Sequence, residues 1–132
     1  MPRTEILYEK LAHGRDYVDL DMSFAPNGSS AVAASSIRGK GVFSVARTAA
    51  GLFTVTFTSD YAALVSGRIT VQITGDATDL CPQLGDFTAG TSSARPTLKC
   101  RLMTATTPTD LAADANNRVH LMLTFRKSSV TP

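Results

Sequence analysis

Few residues in this sequence have the types and spacing that chemistry needs. The histidines, His13 and His120, stand almost the whole chain apart. Metal binding or general-base work would require both to converge with carboxylates, so each reads first as a surface or interface residue. Asp16, Asp19 and Asp21 form an acidic cluster, and Asp19 and Asp21 alternate with Leu20 and Met22. Two carboxylates on one strand face are an arrangement that a glycosidase or a calcium site exploits. Charges at alternate positions are also what a solvated strand face looks like, and that explanation is the simpler one. Arg38-Gly39-Lys40-Gly41 is basic and glycine-rich, without the glycine spacing and the Ser or Thr of a phosphate-binding loop. No serine sits in a GxSxG elbow. Cys81 and Cys100 show neither CxxC nor Cys/His zinc spacing; Cys100 alternates with Leu98 and Leu102 as a buried residue would, and Cys81, just before Pro82, is expected in a loop. No cofactor or metal is expected from these patterns.

The elements that would position these residues are strands. Gly41 to Tyr61 has the pattern of a β-hairpin: Phe43 and Val45 alternate with small residues on one arm, and Phe53, Val55 and Phe57 alternate with threonines on the other. Thr48 to Gly51 supplies the connection, with Gly51 free to take the positive φ of a tight, bulged turn. A first strand from Asp16 puts Val18, Leu20, Met22 and Phe24 on one face, with Asp19, Asp21 and Ser23 on the other, and ends at Pro26-Asn27-Gly28. Ser29 to Lys40 reads as a connection. Asp60 to Val65 has the length of one helical turn, before a strand aligning Ile69, Val71 and Ile73. Leu80, Leu84 and Phe87 suggest a strand broken at Pro82. A further strand carries Leu98, Cys100 and Leu102, and a long polar loop covers Ala105 to Asn117. In the last strand Val119, Leu121, Leu123 and Phe125 face inward, and Arg118, His120, Met122, Thr124 and Arg126 outward.

Six or seven strands with turns between them, and no required long helix, predict an all-β antiparallel β-sandwich, jelly-roll-like or, alternatively, immunoglobulin-like. The 132 residues suit one domain, 16–132, preceded by an N-terminal arm, 1–15. No apolar run suggests a signal peptide or a membrane span, so synthesis in a cytoplasm is expected, without a structural disulfide. A net charge of +2 and the lack of basic residues interleaved with aromatics point away from nucleic acid. Only 18% of residues are charged, low for a solitary small domain, which fits a subunit covered by neighbours.

DYVDLD at Asp16 to Asp21, FAPNG at Phe24 to Gly28, GKGVFSVARTAAGLFTVTF at Gly39 to Phe57 and NNRVHLMLTFRKSS at Asn116 to Ser129 together resemble small virion structural proteins of tailed bacteriophages, of the decoration or cement type. The likeness is one of strand texture and short phrases over most of Asp16 to Ser129. It implies a non-enzymatic subunit, commonly a homotrimer, on the capsid exterior, with the major capsid protein as partner and neither nucleic acid nor membrane bound. A receptor- or glycan-binding module of a phage tail or head spike is the alternative, and a small hydrolase using Asp19 and Asp21 a third reading. The arm's Arg3, Ile6, Leu7, Tyr8, Lys10, Leu11 and Arg15 combine cations with apolar groups that have no core of their own to enter. They are the expected capsid or subunit interface.

Overall fold

The computed structural model describes residues 17–74, 79–114 and 116–127, without the side chain of Phe43. The arm with Arg3, Ile6, Leu7, Tyr8, Lys10, Leu11 and Arg15 lies outside the described residues, and so do His13 and Asp16.

Period-two patterning becomes strands wherever it was strongest. These are β1 (Tyr17–Phe24), β2 (Val42–Ala49), β3 (Leu52–Phe57), β4 (Ala63–Gln72), β5 (Leu80–Thr88), β6 (Thr97–Thr104), the two-residue β7 (Thr107–Pro108) and β8 (Arg118–Arg126). A 3-10 turn at Ala34–Ser36 is the sole helical element among the described residues. All pairings are antiparallel and form two sheets. One has the order β1-β8-β4, the other β2-β3-β6-β5, with β7 alongside β6. The chain is therefore an all-β protein of two antiparallel sheets.

The inner faces meet in one core. Leu20, Met22 and Phe24 from β1 and Val119, Leu121, Leu123 and Phe125 from β8 oppose Phe53, Val55 and Phe57 from β3 and Leu98, Cys100 and Leu102 from β6. Aromatic contacts cross between the sheets: Phe57 meets Phe125 edge-on at 4.9 Å between ring centroids, and Phe24 meets Phe53 at 5.1 Å. A fully buried ring of this kind contributes about 1.5–3 kcal/mol, so the two rows together hold the sheets face to face.

The central hairpin turns at Ala50 and Gly51, and the register shifts between Arg47 and Ala49, the bulge the glycine implied. Gly51 has φ +64°, and a Cβ there would stand 2.6 Å from the Thr109 nitrogen and 2.7 Å from the Leu102 oxygen, so backbone conformation and close approach both exclude a side chain.

Five expectations are corrected. Asp60 to Val65 does not form a helical turn, because β4 begins at Ala63. The Ala62 N–H donates to the Arg126 carbonyl, and Tyr61 stacks parallel on Phe125 at 4.4 Å, so extended chain satisfies both the backbone and the ring. Cys81 lies not in a loop but on β5, exposed. Pro82 does not break that strand: β5 is a sheet edge, where a missing N–H costs little, and the irregularity falls between Leu84 and Phe87 instead. The loop after β6 is not wholly polar, since it contains β7 and packs Leu111 against the core. Finally, Ser23 and Arg118, expected on the outward face, are buried at 7% and 8% exposure. The chain from Ala34 to Gly39 passes over this corner of the sheet, and Ser23 exchanges both backbone hydrogen bonds with Arg38.

Candidate functional site: the outer face of the three-stranded sheet

The outward residues of β1, β8 and β4 lie in rows fixed by register. Asp19, Thr124 and Ser66 make one row, Asp21, Met122 and Arg68 the next, and Ser23, His120 and Thr70 the third. The first two rows line a groove of about 490 Å³. The register irregularity between Leu64 and Ser66 borders this groove; Gly67 lines it with backbone alone, because a Cβ there would point inward against Leu84 and Leu123. Met122, on the central strand, is 53% exposed at its floor. Asp19 and Asp21 are thus brought to one surface, as their alternation implied. The Thr124 hydroxyl donates to Asp19 Oδ1 at 2.7 Å, which orients that carboxylate, and Asp21 is exposed beside it.

The groove offers carboxylates on β1, a guanidinium on β4 and a thioether between them. Such a surface can make hydrogen bonds and charge contacts around an apolar centre. Asp19 and Asp21 are both exposed, and among the described residues no three His, Cys, Asp or Glu side chains gather as a metal site.

The other residues singled out from sequence are dispersed. His120 is half-buried, with Nε2 3.3 Å from Gln72 Oε1. Arg38-Gly39-Lys40-Gly41 carries the chain over the free edge of β1. Gly39, at φ +110°, lies against the Asp21 carbonyl and Met22 Cα so closely that a Cβ would come within 2.5 Å and 2.9 Å. Cys100 is buried between the sheets, and burial alone pushes its thiol up to about 12, which leaves it a packing residue.

Two clusters had no signal in the sequence. Arg47 on β2 grips Asp110 through both oxygens, Nε to Oδ1 at 3.0 Å and Nη2 to Oδ2 at 2.8 Å, and Asp110 Oδ1 also accepts the Gly51 N–H at 2.9 Å. Its hydrogen bonds to Arg47 hold the Asp110 carboxyl below its ordinary value. The partners are separated by 63 residues, so no local pattern could pair them. Arg118 Nε donates to Ser23 Oγ at 2.8 Å and its Nη2 to the Ser36 carbonyl, tying β8, β1 and the 3-10 turn together. Desolvation first, and the nearby Arg38 charge second, lower the Arg118 proton affinity.

The fold and these surfaces define an all-β protein with two antiparallel sheets, of the general kind of a β-sandwich. Comparison with protein-family models, curated proteins and solved structures gives no match to this chain.

Proposed function

We propose that the chain is a non-enzymatic virion subunit, a bacteriophage capsid decoration or cement protein that binds the shell exterior and clamps neighbouring major capsid proteins. The observation that carries this reading is the half-exposed Met122 at the centre of the outer sheet face, ringed by Asp19, Asp21 and Arg68. A grooved sheet face with a methionine at its floor and charges at its rim has the make-up of a protein-docking surface. The low charge content of the whole chain supports the same reading. The pairing of the first strand with the last, β1 with β8, supports the jelly-roll-like variant of the sandwich. The working assembly is a homotrimer. A subunit that binds intact shells and not their dissociated parts stabilises the shell by mass action.

The test is co-sedimentation of the full-length protein with shells of the virus that encodes it. Saturable binding to mature shells is expected, weakened by Met122→Lys, which adds a charge to the floor of the groove without touching the core. Deleting residues 1–14 is expected to abolish attachment while the β domain stays folded, since the arm's apolar and basic groups are assigned to the partner. Equal attachment of the truncated protein removes the arm from the interface. Binding to host cells or glycans with none to shells overturns the proposal in favour of a receptor-binding module.

A further inference from the structure

At the end of the outer face, beyond the Met122 groove, a small cleft of about 170 Å³ is lined by Asp21, Met22, Ser23, Arg38, Gly39 and His120. We propose that this cleft is a binding site for a tetrahedral oxyanion of the phosphate or sulfate class, held by Arg38 with Arg118 behind it.

The unusual feature is charge without a counter-charge. Arg118 is 8% exposed, yet both of its hydrogen-bond partners, the Ser23 hydroxyl and the Ser36 carbonyl, are neutral. Buried cations are ordinarily paired, because neutral dipoles replace only part of the hydration that burial removes. Here the nearest feature of like charge is a second guanidinium, Arg38, close enough to disfavour the Arg118 charge further. Neither arginine is within ion-pair distance of a carboxylate among the described residues, where the single ion pair is Arg47 with Asp110. An anion in the cleft would meet Arg38 and Ser23 directly, with Arg118 held behind Ser23, and its charge would offset both guanidiniums.

The geometry supplies the donors. Arg38 lines the cleft and is exposed with its whole fork available, while Arg118 donates Nε to Ser23 and Nη2 to Ser36 and contributes its charge from behind that wall. Guanidinium forks suit phosphate oxygens, which accept paired charge-assisted hydrogen bonds. The Ser23 hydroxyl and the His120 ring complete the wall. The backbone is set for this: the Ser23–Arg38 bridge and the tight seat of Gly39 hold Arg38 across β1 from the strand that carries His120 and Arg118. Asp21 is the one group on the wall that opposes an anion, and it leaves the cluster net positive. This site uses side chains across strands, unlike a glycine-rich loop whose backbone amides cradle phosphate.

The experiment is a thermal-shift and calorimetric titration of the full-length protein with inorganic phosphate, with sodium chloride and sodium acetate at matched ionic strength. A saturable rise in Tm with phosphate, larger than with either control salt, is expected. Arg38→Gln, at an exposed position, should melt like the parent in chloride and bind phosphate about tenfold more weakly or worse. Asp21→Asn should bind more tightly, and Arg101→Gln, an exposed arginine on the other sheet, should bind as the parent does. A phosphate response equal to that of acetate or chloride, or one unchanged in Arg38→Gln, overturns the site.

Discussion

Arg47 and Arg118 each tie a loop to a sheet, and they do it with opposite electrostatics. Arg47 meets a carboxylate in a two-pronged pair at a surface where its side chain keeps 20% of its exposure, and Asp110 keeps 24%. The charge there is matched and water completes the solvation. Arg118 lies deeper and meets only neutral oxygens, with another arginine nearby. The first tie is a closed unit that asks for nothing more. The second remains net positive, which is why it and not the salt bridge is the place where a ligand is expected.

The largest effect should come from the aromatic core that both corners border, and it sets the scale for the other two. Phe57 is fully buried and touches both Tyr61 and Phe125, so Phe57→Ala removes the contact between the sheets as well as the ring. Denaturant unfolding should show a loss of about 3–5 kcal/mol, and Phe53→Ala a similar one. Against a total of about 5–15 kcal/mol, either change should leave a large unfolded fraction. A melt unchanged from the parent for both would mean that neither ring joins the sheets.

Arg118→Met tests the unmatched tie. The substitution keeps an apolar stem, removes the buried cation and leaves the Ser36 carbonyl and Ser23 hydroxyl without their donor. Two lost hydrogen bonds to a charged donor weigh against relief from an unpaired buried charge, so a net loss of about 1–2 kcal/mol is expected. The loss should be greater in phosphate than in chloride, because the parent, with both guanidiniums, gains more from the anion than a variant that keeps Arg38 alone. A variant more stable than the parent in both salts would show that the cation is a burden with no compensating ligand.

The contrast between these corners also separates what the sequence tells from what it withholds. Val18 to Phe24, Phe53 to Phe57 and Val119 to Phe125 could be assigned to inner faces because alternation is a local signal and burial follows it. The positive φ at Gly51 was legible for the same reason. Arg118 departs from that rule. Its parity places it outward, and it is covered only because residues 34–39, distant in sequence, cross the end of the sheet. Local pattern places Tyr61 within a helical turn, because nothing near it reveals Phe125, the ring on which it stacks. Alternation places Asp19 and Asp21 on a shared face, yet their neighbours Met122 and Arg68 depend on strand order, which alternation does not encode.

The matched tie should yield the smallest effect, and pH separates it from the rest. Asp110→Asn removes the charge that Arg47 grips while keeping the shape and an oxygen for the Gly51 N–H. The pair is partly solvated and open to screening, so at neutral pH the variant should melt only about 2 °C below the parent, and less in high salt. The folded-state carboxyl lies below its ordinary 3.8, principally through its hydrogen bonds to Arg47. A carboxyl of lowered pKa contributes stability that is complete above the unfolded value and disappears as pH falls through the folded one. The difference between parent and variant should therefore stay constant from neutral pH to about pH 5 and shrink once the pH drops below 3.8. Paired melts of the two proteins across that range measure it directly. An equal difference at pH 7 and at pH 2.5 would show that Asp110 acts through its shape alone, and the two arginine corners would then differ in burial but not in charge matching.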